Sequence, residues 1–495
     1  MAANRQFDIA LGILQELRAA GYEAYLAGGC VRDLLLGREP IDYDVATSAT
    51  PDVVLNMFPR TFGVGAHFGV VLVATDVNGG DPAEKKEFVL TEVATFRSDG
   101  AYSDGRHPDA VKYTESAEED VRRRDFTING LLLDPEKLFP QGLKPALLSE
   151  DNVRAEARTL QIAGAGALAY QPVRVLRSAV IDYVGGLADL DAGVIRAIGR
   201  PELRFEEDRL RMLRAVRFAA RFGFEIEDGT RAAIRALAPR IHAVSRERVR
   251  DELTKMLTEG HARRAFELLD ETGLLAQLLP EVAKMKGVEQ PPQFHPEGDV
   301  WTHTLLLLDQ LEAGSAATLA WGALLHDVGK PPTFRSAPDR IRFDGHVEVG
   351  AAMGAEICRR FRFSNEEMRQ ILALIENHMR FADAPRMKAS TLKRFFRLED
   401  FDQHLELHKM DCLAAHRNLE IYEFVRERFE AMPEETVRPR PLLTGRELIA
   451  AGYAPGPGFK EMLSTVEDAQ LEGTIATEEE AMALVREKFP FERQI

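Results

Sequence analysis

Tyr22-Glu23-Ala24-Tyr25-Leu26-Ala27-Gly28-Gly29-Cys30-Val31-Arg32-Asp33-Leu34-Leu35-Leu36-Gly37, followed shortly by Ile41-Asp42-Tyr43-Asp44-Val45, decides how the front of this chain folds. The apolar run 22–27 predicts a strand, Gly28-Gly29 a tight turn, 31–36 a helix, and Gly37 its stop. Runs at 41–46, 68–75 and 86–96 are rich in Val, Phe and Thr and bounded by Gly, Pro or Asp, which predicts further strands of one sheet. Residues 1–134 therefore read as a mixed α/β domain. From 208 onward the pattern is helical, interrupted by Pro/Gly clusters near 290–298, 331–338 and 454–458, so everything after about 185 is predicted to be mostly α. The fold class is α+β.

A length of 495 residues suggests about three domains. With 63 Lys and Arg against 79 Asp and Glu, the net charge is −16; 45% apolar and 29% charged residues suit a folded, soluble protein. Nonspecific coating of nucleic acid is disfavoured, although a local basic groove is not. Cys30, Cys358 and Cys412 lie far apart, which removes a disulfide framework and a Cys-rich zinc site and predicts a reducing cytoplasm. The start, 7–17, mixes polar and apolar residues unlike a signal peptide, and the uncharged stretch near 161–173 is too short to span a membrane. Residues 135–181, with Pro140, Pro145 and Pro172, read as an insertion of unknown role, and Glu478-Glu479-Glu480 as a helix N-terminus. No internal repeat is visible.

On a strand, Asp42 and Asp44 share one face, and paired hard oxygen ligands suit Mg²⁺ held between protein and substrate phosphates. D-x-D alone is common. Its setting adds weight: Gly28 and Gly29 ahead of a helix let backbone N–H groups approach phosphate, Arg32 adds charge, and Glu92 on a later strand offers a third acid.

Gly28-Gly29-Cys30-Val31-Arg32-Asp33, Asp42-Tyr43-Asp44, Arg123-Arg124-Asp125-Phe126-Thr127-Ile128-Asn129 and Glu207-Asp208-Arg209-Leu210-Arg211-Met212-Leu213-Arg214 together, in this order, resemble the class II tRNA nucleotidyltransferases (CCA-adding enzymes) and the related bacterial poly(A) polymerases. The resemblance implies a polymerase β-like nucleotidyltransferase head, with Asp42 and Asp44 on the metals, Gly29, Arg32 and Arg124 on the triphosphate, and Asp125 and Asn129 near the ribose. It implies CTP, ATP and the tRNA 3′ end as substrates.

The stretch 208–221 predicts a helix with Asp208, Arg211, Arg214, Arg217 and Arg221 on one face. Cytosine and adenine each present an amino donor beside a ring-nitrogen acceptor, so a carboxylate and a guanidinium side by side match both. Uracil and guanine set a carbonyl against the carboxylate. Asp208 and Arg211 are thus candidates for a protein template, a role the resemblance also assigns them, with Arg214 and Arg217 supporting the nucleotide. Residues 204–250 hold twelve Arg, no Lys and seven acids, a net +5 within an acidic chain and a candidate contact for RNA phosphates. Phe62-Gly63-Val64-Gly65-Ala66-His67-Phe68-Gly69-Val70 lacks the basic element usual in poly(A) polymerases, and 97–107 resembles the flexible loop of full CCA-adding enzymes.

His303, His326-Asp327, His346, His378 and Asp411 occur in an order that resembles the HD phosphohydrolase superfamily. Imidazoles with carboxylates suit Mn²⁺, Ni²⁺, Co²⁺ or Fe²⁺ and metal-assisted phosphodiester hydrolysis. His295 and Lys330 are candidates for phosphate contact, whereas His404, His408 and His416 fit no ligand spacing. The expected division is a head at 1–134, the insertion 135–181, a helical neck and body at 182–290 for nucleotide selection and RNA binding, an HD domain at 291–420 and a helical tail at 421–495. The alternatives are a poly(A) polymerase, or an HD metal phosphohydrolase with a vestigial RNA-binding head.

Overall fold

The computed structural model describes residues 2–63, 69–76, 87–100, 111–138, 177–293, 295–336 and 341–490, with the backbone alone at 2–4 and 99. The chain forms two compact units, one of residues 1–245 with 272–274, the other of 246–271 with 275–495.

The first unit is built on a sheet of seven strands: β1 (Ala24–Ala27), β2 (Val45–Thr47), β3 (Thr61–Phe62), β4 (Val70–Asp76), β5 (Phe88–Thr95), β8 (Leu131–Leu133) and β9 (Val180–Asp182), in the order β3-β4-β5-β2-β1-β8-β9. A separate pair, β6 (Arg97–Asp99) and β7 (Val111–Tyr113), is antiparallel. Helix α1 (Ala2–Ala19) lays Ala10, Leu14 and Leu17 into the core, and Ala27, Ala46, Phe96 and Leu132 pack with Ala117 and Val121 of α4 (Ala117–Arg122). Gly28, at φ +74°, turns the chain from β1 into α2 (Gly29–Leu35), a backbone conformation that disfavours any residue with a Cβ.

Three expectations are corrected. The strand expected at 41–46 begins at Val45, although Ala27 N–H still donates to the Asp44 carbonyl at 3.0 Å, so the pairing reaches back past Val45. The stretch 135–181 does not stand wholly apart: Val180–Asp182 pairs antiparallel with β8 and closes the sheet edge, its apolar residues packing beside Tyr25. The helix expected from 208 starts at Leu210. Asp208 instead ends the preceding helix in an extended conformation and accepts the Leu210 N–H at 3.0 Å, because a short carboxylate side chain competes with the helix for backbone donors. The interior of the expected insertion, 139–176, and the distinguishing stretches at 64–68 and 101–110 lie outside the described residues.

Among its described residues the second unit is helical, apart from the short antiparallel pair Arg335–Ser336 and Ile341–Arg342. Helices Val300–Leu308 and Ala317–Leu325 are apolar nearly all round and buried, as central helices must be. Phe381, Phe395, Phe396 and Phe401 form a second cluster, and Leu443, Leu448, Tyr453, Val466, Ala481 and Val485 give the last helices a core of their own. Gly329 is where the backbone after Asp327 meets helix His346–Arg360: a Cβ there would lie 2.0 Å from the His346 carbonyl oxygen and 2.6 Å from the Gly350 nitrogen. Gly329→Ala is therefore expected to cost about 1–3 kcal/mol, read as a lower urea midpoint. Gly350→Ala, whose Cβ would come no nearer than 3.4 Å, should cost less.

Candidate active site and candidate metal centre

The sheet itself assembles the acids of the first unit. Strand β2 runs parallel to β5 with Val45 opposite Val93, so Asp44 and Glu92, each one residue earlier, fall side by side. Asp42 lies two residues before Asp44, with Tyr43 buried between them. The three carboxylates repel one another. Burial, then the charges of Asp42 and Glu92, push Asp44 up to about 7, and burial and Asp42 raise Glu92 as well. A bound cation relieves this crowding of like charge, so these acids fit divalent metal.

Beside them, Arg124 lies against the glycine turn: a Cβ on Gly28 would come within 2.9 Å of Arg124 Nη1. Arg124 donates to Asp120 at 3.0 Å, and Asp120 is also held by Arg123 at 2.6 Å. Although burial works the other way, these two guanidinium groups keep the Asp120 carboxyl below its ordinary value. Arg32 is almost buried beneath the turn. Its Nη1 donates to Asn129 at 2.5 Å, its Nε to Asp33 at 2.8 Å, and its guanidinium lies over the Phe222 ring. Asn129 in turn donates to Asp125 at 3.0 Å, and Arg214 grips Asp125 through two bonds of 2.9 and 2.6 Å. Burial alone would raise the Asp125 carboxyl, but Arg214 and Asn129 bring it down to about 2.

Asp208 and Arg211 lie one turn apart, joined by the Arg211 N–H donating to the Asp208 carbonyl at 3.1 Å. The Arg211 guanidinium donates to Glu207 at 2.6 Å and to the Arg204 carbonyl at 3.2 Å. Glu207 was missed as a functional candidate, although it immediately precedes Asp208; an acid four residues before an arginine on successive turns was the available signal. Arg217, expected to support the nucleotide, is buried with its guanidinium 4.4 Å from the Phe218 ring centre.

In the second unit all six predicted ligands converge. His303 lies within helix Val300–Leu308, His326 and His378 close helices Ala317–Leu325 and Asn365–Asn377, His346 opens helix His346–Arg360, and Asp411 comes from Phe401–Ala414. Every imidazole uses Nδ1 for an internal partner, leaving Nε2 inward. His326, His346 and His378 meet the carbonyls three residues back, Ala323, Phe343 and Ile375, at 2.9, 2.9 and 2.7 Å. His303 meets Glu297 at 2.8 Å. The four Nε2 atoms and both Asp327 oxygens are buried with no hydrogen bond of good geometry. They nevertheless crowd together: Asp327 Oδ2 is 3.2 Å from His326, Oδ1 is 3.8 Å from His378, and Asp411 lies 3.1 Å from His303. Buried donors converging without bonding one another fit a shared divalent cation. Among the described residues three groups of donors lie within 4.8 Å of one another: His303, His326 and Asp411; Asp327, His346 and His378; and His295, Glu297 and His303. Lys330 reaches Asp327 at 2.7 Å and Gln290 at 2.7 Å. His404 and His408, for which no ligand spacing was found, stand apart from all three groups.

Comparison with known proteins assigns the domains that carry these residues. Residues 24–140 match the family described as Poly A polymerase head domain, 223–286 the probable RNA and SrmB-binding site of polymerase A, and 299–415 the HD domain. A solved Bacillus stearothermophilus CCA-adding enzyme in complex with CTP superposes with a TM-score of 0.67 at 27% identity, covering 98% of each chain. Fold and domains thus define a nucleotidyltransferase joined to an HD domain. The CCA-adding enzyme of Geobacillus stearothermophilus is 30% identical over 476 residues, 96% of this chain and 95% of that one, and that of Geobacillus thermodenitrificans is 38% identical over 56% of each. The chain belongs to the CCA-adding enzyme family.

Proposed function

We propose that the first unit of this nucleotidyltransferase extends tRNA 3′ ends with C, C and A from CTP and ATP, and that Asp42, Asp44 and Glu92 form its metal site. The observation that carries this reading is the strand register that sets Asp44 beside Glu92, next to the glycine turn. Mg²⁺ held there would neutralise the triphosphate and favour in-line attack by the terminal 3′-hydroxyl as pyrophosphate leaves. The Gly28-Gly29 backbone and Arg124 face the phosphates, with Arg32 supporting the turn from below. Asp125 and Asn129 position the ribose. The site is assigned to the reducing cytoplasm, where Cys30, Cys358 and Cys412 remain free thiols. Asp42→Ala or Asp44→Ala should lower addition of both C and A by on the order of 10²–10³-fold or more while tRNA binding persists. Near-normal incorporation of radiolabelled CTP and ATP by either variant removes the assignment.

Base selection is assigned to Asp208 and Arg211, with Arg214 and Arg217 in support. Glu207 restrains the Arg211 guanidinium, so one fixed donor and one acceptor meet the matching edges of C and A. Neutralising the pair (Asp208→Asn with Arg211→Gln) should let UTP or GTP enter, cutting discrimination by roughly 10²-fold. Unchanged selectivity in competition assays with all four nucleotides would place the template elsewhere.

For the second unit we propose a metal-dependent phosphohydrolase at 291–420, holding Mn²⁺, Ni²⁺, Co²⁺ or Fe²⁺ on His303, His326, Asp327, His346, His378 and Asp411. Such an ion would supply an activated water for attack on phosphorus. His295 and Lys330 lie where they can receive the phosphate. The substrates fitting the shared chain are tRNA ends blocked as 2′,3′-cyclic or 3′-phosphates, since a blocked end cannot be extended. Asp327→Ala should abolish transition-metal-dependent release of these groups while CCA addition continues. Hydrolysis undiminished in that variant would refute the assignment.

A further inference from the structure

One of the four histidines in the metal centre is held differently from the rest. His326, His346 and His378 each give Nδ1–H to a backbone carbonyl three residues earlier, a neutral acceptor fixed by the helix itself. His303 gives its Nδ1–H to a side chain, Glu297, six residues earlier and outside its helix. The same Glu297 oxygen, Oε1, also takes His295 at 2.8 Å, and the two rings meet edge to face with centres 4.9 Å apart. An ionised carboxylate only accepts, so both Nδ1 atoms carry hydrogen, and His303 Nε2, 3.1 Å from Asp411, is the nitrogen turned toward the other ligands. The other oxygen, Oε2, is buried with no hydrogen-bond partner among the described residues. Glu297 is thus a buried charge directed at the back of one ligand.

We infer that Glu297 is the positioning residue of the metal centre: it fixes the tautomer and orientation of His303, strengthens that imidazole as a ligand, and ties His295 to it. The inference rests on the metal-binding reading of the second unit and deepens it. A carboxylate behind a ligating imidazole places negative charge across the ring from the cation, which a carbonyl does only partly, and loss of such a partner weakens metal binding by about 10–100-fold. His295, half-buried and sharing the same oxygen, is held where it can meet a phosphate beside that ligand.

The test uses the full chain carrying Asp42→Ala and Asp44→Ala, so that the carboxylates of the first unit add no binding. Co²⁺ affinity and stoichiometry are measured by competition with a chromophoric chelator, and the visible absorption of the bound ion is recorded. Glu297→Gln keeps the shape and one acceptor oxygen but removes the charge. It should retain the Co²⁺ stoichiometry, bind about 10–100-fold more weakly and shift the absorption bands. Parental affinity and spectrum would overturn the inference. If Glu297→Gln loses its sites together with its melting temperature, Glu297→Asp decides: charge remains but reach is shortened, so weaker binding with stoichiometry kept supports the inference and unchanged binding overturns it. Absence of Co²⁺ from the parent chain, or its persistence after Asp327→Ala, would instead mark failure of the metal-binding reading itself.

Discussion

A single buried carboxylate organises the first unit. Asp125 faces Arg214 from the neck helix Leu210–Phe222 on one oxygen, and Asn129 and the Phe126 N–H on the other. Asn129, turned by that bond, offers its own oxygen to Arg32 beneath the glycine turn. Three segments separated by about a hundred residues each are thereby one polar network, and its aromatic lining, Phe218 and Phe222 stacked with centres 6.0 Å apart, receives the faces of Arg32, Arg214 and Arg217. Partial networks of this kind are worse than none, because every unpaired buried member carries its full desolvation cost. The turn, the segment at 125–129 and the neck helix are consequently obliged to move, or stay, together.

The same pairing changes what the neck's positive charge means. Twelve arginines in 204–250 look like a surface for RNA. Arg214 is committed to Asp125, Arg204 and Arg211 to Glu207, and Arg240 to Glu206. These four arginines are therefore paired with acids of the same chain, and a count of basic residues overstates the field available to phosphates.

How much was legible follows from what each signal depends on. Strand, glycine turn and helix at 24–35 were readable because they rest on local patterning, and the six converging candidate ligands because their residue types are rare in buried helices. Asp208 was misplaced by the periodicity: stepping by three and four along 208–221 cannot reveal that its carboxylate caps the helix instead of joining it. Val180–Asp182 was hidden because an edge strand of three residues, reached across a long Pro-containing stretch, carries too little alternation to be seen. Glu207 and Glu297 escaped for a common reason. Each acts on a functional residue through a hydrogen bond, and only three-dimensional proximity distinguishes such an acid from a solvated one.

The two sites also divide the metals by chemistry. In the first unit the donors are carboxylate oxygens alone, crowded enough that Asp44 is pushed up to about 7. Such a site favours a hard ion that keeps several positions for water and phosphate oxygens. In the second, four imidazoles with fixed Nδ1 partners turn their Nε2 atoms inward, and nitrogen donors raise affinity along the first-row series in a way that Mg²⁺ cannot follow. Neither set of residues needs to exclude the other's ion by size. Donor type alone would let one chain hold two kinds of metal in the same cell, a hard cation on the carboxylates of the first unit and a first-row transition ion on the imidazoles of the second.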